Sequence, residues 1–300
     1  AANSGHPASR RPDLANAVIP VLFAQMKMRL LAAALIAALA APAAAHTSYL
    51  KPSQYWSNGI VRFEGAYATT FFTPEIGLSA NFAVVQPNGA DGFYDQVEVT
   101  GQAAMLRSTL HDYGTYRFTT GEQTGAVSNL VGIDGGWRPA VPGEVLPPET
   151  PTTTLQSVTL AETYVTRGGP TRGAVDRNIG RLSIRPVTHP NQILVNQPFQ
   201  IQILFDGQPL ANTALVVYAS GEPETDLDRF SPTDASGTAT ITLDQPGQYI
   251  LAARHRANAA AGAAAAIQSY TTTLTFDAMT TMPAIEEPPA APERPRRRRN

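Results

Sequence analysis

Short segments in which apolar and polar positions alternate recur along most of the chain. In GIVRFEGAYA, residues 59–68, Val61, Phe63, Gly65 and Tyr67 share one face. LSANFAVVQPNG (78–89) reads as a strand ending in a Pro-Asn-Gly turn, and YDQVEVTG and GTYRFTTG follow it. A period of two residues is the mark of a half-buried strand. Residues 55–120 show no apolar stripe at helical spacing. From 121 to 154 the pattern fails. Gly, Pro and Thr dominate GEQTGAVSNLVGIDGGWRPAVPGEVLPPETPTTT, so a loop or linker is expected there, anchored to the body by Trp137.

Alternation returns in LQSVTLAETYVTRG and is clearest in the second half. Phe199, Ile201, Ile203 and Phe205 alternate up to Asp206-Gly207, a strong hairpin-turn signal. A second turn is expected at Ser236-Gly237 and a break at Pro246-Gly247, with SYTTTLTFDA closing the body. ANAAAGAAAA, residues 257–266, reads as a short helix or a loose loop, because alanine favours helix while Gly262 opposes it. The expectation is an all-β chain of two antiparallel sandwich domains, Ig-like or transthyretin-like. Residues 46–120 and 155–190 would form the first and 191–280 the second.

The ends follow other rules. MKMRLLAAALIAALAAPAAA, residues 26–45, has a basic start, an apolar stretch and a small-residue site, the three parts of a secretory signal peptide. The apolar stretch is shorter than the roughly 20 residues of a spanning helix. Residues 1–25 precede a plausible start at Met26 and are expected to play no part in the fold. Cleavage after Ala45 would send the chain to the periplasm or the medium and make His46 its first residue. Residues 281–300 are Pro-rich and end in RPRRRR, which is expected to be disordered and able to touch an anionic envelope surface. No aromatic residue interleaves with these arginines, so nucleic acid is not an expected partner.

Composition narrows the chemistry. There is no cysteine, which excludes disulfides, thiolate metal sites and cysteine nucleophiles. Residues 46–285 hold 13 basic and 20 acidic side chains, a balance that suits small cations. The chain has no G-x-S-x-G, no H-E-x-x-H and no P-loop.

The ordered set AHTSYLKP, VRFEGAYATTFFTPE, PNG, GTYRF, YVTRGGPT, LSIRPVTHPNQILVNQPFQIQILFDGQPLANTALVVY and TDASGTATITLDQPGQYILAARH resembles the DUF4198 family of exported bacterial proteins. Some relatives in that family are described as periplasmic components associated with nickel or cobalt uptake. The resemblance therefore implies handling of a transition metal, with a membrane uptake system as partner. The second half also looks like the carboxypeptidase-regulatory, transthyretin-like type of sandwich, usually a binding or spacing module.

Four histidines follow residue 45: His46, His111, His189 and His255. A first-position histidine offers its α-amine and ring Nδ1, which together close one chelate ring. With unperturbed pKa values near 7.7–8.0 and 6.5, both release protons readily to a metal at neutral pH. Such nitrogen ligands suit copper, nickel or zinc. His46 and His255 are expected to form a nitrogen-rich pair for a Cu, Ni or Co ion, with His111 a further candidate. His189, before a proline, reads as a turn residue. Glu64 and Glu75 are candidate oxygen ligands. Three functions follow: an exported metal-binding or delivery protein, a non-catalytic envelope module, and a copper oxidase with Tyr55 and Trp56 as its flat aromatic surface. No nucleophile with a base can be named, so non-enzymatic roles come first.

Overall fold

The computed structural model describes residues 46–133 and 135–288. The expected signal peptide, residues 1–25 and the arginine run all fall outside the described residues. Within them every regular element is a strand. The first seven are β1 (Thr47–Pro52), β2 (Ile60–Ala68), β3 (Ile76–Gly77), β4 (Ala83–Val85), β5 (Asp91–Gly92), β6 (Gln96–Val99) and β7 (Ala104–Thr109). Next come β8 (Gly114–Thr119), β9 (Gln123–Ile133), β10 (Gly136–Pro139), β11 (Thr152–Arg167), β12 (Leu182–Pro186) and β13 (Phe199–Phe205). The last six are β14 (Gln208–Pro209), β15 (Ala214–Ala219), β16 (Phe230–Pro232), β17 (Thr238–Ile241), β18 (Gly247–Asn258) and β19 (Ile267–Ala278).

Three sheets stack. The central sheet runs β16-β15-β18-β19-β11-β8-β4-β5, with the β9–β10 hairpin attached to β11. On one face lies β1-β2-β7-β6 with β3, and on the other β12-β13 with β14 and β17. Alternation along β18 shows why both faces are needed. Ile250 and Ala252 pack with Tyr49 and Ala66 of the first outer sheet, while Tyr249, Leu251 and Ala253 pack with Ile201, Ile203 and Ala239 of the second. Strands buried on both faces read as continuous apolar runs, and YILAA in β18 is one. Cross-layer hydrogen bonds tie β19 to β1: Thr273 Oγ1 donates to Ser48 O at 2.8 Å, and Thr275 Oγ1 to Leu50 O at 2.5 Å.

The all-β expectation holds, and two packed sandwiches are present. They share the central sheet instead of being joined by a linker, and the described residues belong to one compact unit. Pairing is antiparallel throughout the sheets except between β11 and β19, which run parallel from Leu155↔Ile267 to Thr163↔Thr275. The stretch 121–154 departs from the loop expected of it: most of it is the β9–β10 hairpin and the start of β11. Residues 124–129 of β9 face solvent on both sides, so no apolar alternation marks them, and only Val131 of that strand is buried. Trp137 lies on β10 and is 46% exposed, so it is not the buried anchor expected of it.

The turns obey local chemistry. Asp206 and Gly207 both have positive φ, 51° and 75°, as an Asp-Gly hairpin requires. Gly237 has φ 71° in the turn where Asp234 Oδ1 accepts from Ser236 N, Ser236 Oγ and Thr238 N. Residues 259–266 between β18 and β19 form a loop, not a helix.

Candidate metal centre

β1 carries the sequence TSYLKP, and all but Lys51 of it is buried between the outer and central sheets. Its register with β2 sets Thr47 opposite Ala68, which brings His46 level with Thr69. The chain then loops through 70–75 and returns along β2, with Tyr67 opposite Ile76. This return delivers Glu75 to His46. Thr69 N and Thr69 Oγ1 donate to Glu75 Oε1 at 2.7 and 2.5 Å. Glu75 Oε2 lies 2.7 Å from His46 Nε2. The two Thr69 hydrogen bonds, side-chain first, hold the Glu75 carboxyl below its ordinary range, and His46 adds to this. A carboxylate only accepts, so Nε2 carries the proton and Nδ1 keeps its lone pair in the neutral ring. Both side chains remain about 30% exposed, 29% for His46 and 32% for Glu75.

The next residue is fixed more firmly. Thr47 Oγ1 donates to Glu224 Oε2 at 2.6 Å and accepts from Arg254 Nη2 at 3.1 Å. Glu224 N in turn donates to Thr69 O at 2.8 Å. Position 46 is thus a partly open side chain directly before a strand tied to the central sheet through Arg254 and to the 220–229 loop through Glu224.

The structure does not bring the other predicted ligands here. His255 lies on β18 on the face of Tyr249 and Leu251, as alternation predicts, but that face meets the second outer sheet. Its ring packs edge-on against Phe205 at 4.6 Å. Its neighbour Arg254 is the residue that reaches Thr47. His46 and His255 therefore stand on opposite faces of the central sheet, and the expected pair is corrected on that ground. β18 also runs on to Asn258, so His255 is not at a strand end. His111 lines a separate cleft of about 180 Å³ with Asp95, Asp112 and Tyr116, and its carbonyl accepts from Arg167 Nη1 at 2.5 Å. Glu64 accepts from Tyr49 OH at 2.6 Å and lies 3.7 Å from Lys51 Nζ. Tyr55 is buried, and Trp56 bridges to Thr166 past the far end of β1, so neither forms a surface beside His46. Among the described residues, no three His, Asp or Glu side chains converge on one metal position. The donors that fit an ion at His46 are its Nδ1 and the α-amine that trimming would free.

His189 is a buried joint. Its Nε2 lies 3.0 Å from Thr115 Oγ1 and 3.2 Å from Thr171 O, and its Nδ1 accepts from Asn191 N at 3.2 Å. Asn191 Nδ2 goes on to donate to Tyr55 O at 2.6 Å. Burial pushes the His189 pKa down to about 4. A second proton would place N–H against N–H at Asn191. Because the folded pKa is below the unfolded value, this stability is complete above about pH 6.5 and is lost as pH falls toward 4. Chemical denaturation across that window should show a loss of about 3 kcal/mol, and His189→Gln should flatten it. An unchanged slope in the variant would remove His189 as the cause.

Sequence reasoning also missed the most deeply buried charges. Arg117 on β8 and Glu162 on β11 are 1% and 0% exposed. Arg117 Nε donates to Glu162 Oε2 at 2.9 Å, Nη2 donates to the same oxygen, and Nη1 donates to Arg177 O. The available signal was one charge in each of two otherwise buried segments, GTYRFTT and LAETYV.

The fold and the site define an all-β protein with a histidine–carboxylate contact at the start of its first strand. The chain belongs to the family described as "Domain of unknown function (DUF4198)", whose model matches residues 43–257. No curated protein matches it. Among solved structures, the D0–D1 domain of intimin is 9% identical with a TM-score of 0.19, covering 76% of this chain and 96% of that one. Murine CEACAM1b is 8% identical with a TM-score of 0.20, covering 77% and 98%. The I9–I11 tandem from titin is 8% identical with a TM-score of 0.17, covering 75% and 99%. Likenesses this low carry no argument.

Proposed function

We propose that the protein is exported, that cleavage after Ala45 frees the His46 amine, and that it binds or delivers a transition metal there. Copper and nickel suit this nitrogen chemistry, and the family resemblance adds cobalt. The observation that carries the reading is the geometry of His46. Its Nε2 lies 2.7 Å from Glu75 Oε2, which leaves Nδ1, the ring nitrogen able to close a chelate with its own backbone nitrogen, to face a metal. The anchored β1 supports it further, because a freed amine at position 46 would stand directly before a fixed strand. Metal sites on rigid elements lose less order on binding. The metal supplies no chemistry in this reading beyond being carried, and a membrane uptake system is the partner. Calorimetric titration of the exported protein with Cu(II), Ni(II) and Co(II) tests it. One equivalent of one metal supports the reading. No binding by any of the three leaves the envelope-module function instead.

A further inference from the structure

We infer that Glu75 is the positioning residue of the His46 centre: it fixes the tautomer and plane of the imidazole and is not itself a metal ligand. This rests on the proposed reading of His46 as a ligand. The sequence left Glu75 as a candidate oxygen donor, and the geometry assigns it another task.

Both of its carboxylate oxygens are engaged, Oε1 by the two Thr69 donors and Oε2 by His46 Nε2. The loop that carries it is tied down. Thr73 N donates to Thr70 O at 2.9 Å, and Glu75 N to Tyr67 O at 3.1 Å. Phe71 is 1% exposed and packs on Tyr218 at 4.9 Å. Glu75 is thus a fixed acceptor aimed at one ring nitrogen. Metal coordination at Nε2 would have to break that contact, whereas coordination at Nδ1 preserves it. A carboxylate that accepts from the far N–H of a ligating histidine sets its orientation and raises its donor strength. The proton balance is simple. A neutral imidazole binds through Nδ1 and keeps Nε2–H, and an α-ammonium sheds one proton to bind as the amine.

The test uses the full chain expressed with its leader and recovered from the exported fraction. Glu75→Gln, Glu75→Ala and His46→Ala are compared by Cu(II) titration and by pulsed EPR of the remote imidazole nitrogen. In Glu75→Gln the amide oxygen can keep the Thr69 donors only by turning its NH2 toward His46, which favours the wrong tautomer. Both Glu75 variants should bind about 10- to 100-fold more weakly, with a changed remote-nitrogen coupling and no equatorial oxygen lost. A purely structural role would leave that coupling unmoved. Glu75 is partly exposed, and thermal melts should confirm that the variants fold. If His46→Ala abolishes binding while both Glu75 variants match wild type in affinity and coupling, the inference falls and the reading beneath it stands. Loss of an equatorial oxygen in Glu75→Ala also overturns it, by making Glu75 a ligand. A wild-type protein that binds no metal overturns both.

Discussion

Replacing Arg117 by Met is expected to destabilise the fold by about 3–5 kcal/mol, because it leaves the Glu162 carboxylate buried without its counter-ion. Glu162 is fully enclosed between the central sheet and the second outer sheet, and its Oε1 has no hydrogen-bond partner among the described residues. Burial already pushes its pKa up, while Arg117 pulls it back. In the variant that restraint is gone. The sign of the pH dependence follows. A carboxyl whose folded pKa is raised above its unfolded value loses stability as pH rises through that window. The deficit relative to wild type should therefore be largest at neutral pH and shrink on acidification. Replacing both residues, Arg117→Met with Glu162→Leu, should recover most of the loss, since a buried pair is often worth little against apolar side chains of similar volume. Urea denaturation of the single and double variants decides it. A single variant within 1 kcal/mol of wild type would mean that water reaches Glu162.

The pair also shows what a sequence yields and what it withholds. Strands such as Ile60–Ala68 and Phe199–Phe205 were legible because one face meets a core and the other meets solvent. The Asp206-Gly207 turn was legible because its two positive φ values select those residues. The middle of β9, residues 124–129, was not, since exposure on both faces removes the contrast on which alternation depends. The three-layer stack was not legible either. Alternation along β18 sorts Ile250 from Leu251 but does not name the sheet that each will meet. For that reason the side of His255 could be read, while its separation from His46 could not. The parallel pairing of β11 with β19 joins segments about a hundred residues apart, and no local pattern encodes it. At the candidate site His46 was singled out by the signal-like sequence expected before it. The role of Glu75 depends on a loop return along β2 that only the fold supplies.

The second large effect concerns the N-terminus. Acetylating the α-amine of His46 leaves the imidazole, Glu75 and β1 in place. It turns the α-amine into an amide nitrogen, which keeps its proton at neutral pH and is a poor ligand. The chelate ring is then lost although no side chain has changed. The weakening should exceed the roughly 10- to 100-fold that loss of an outer hydrogen bond costs. His46→Ala should do the same by removing Nδ1. Since position 46 precedes the first strand, neither change should alter the melting temperature by more than a degree or two. Cu(II) titration of the two altered proteins beside the wild type checks this. Equal affinity in the acetylated protein would show that the amine takes no part.

The most direct test of the account is the intact mass of the protein recovered from the exported fraction. A chain starting at His46, with an unblocked amino group, is the predicted result. A chain starting at any other residue, or one retaining residues 26–45, would contradict the proposed centre and leave a three-layer β protein of the DUF4198 family whose function lies elsewhere.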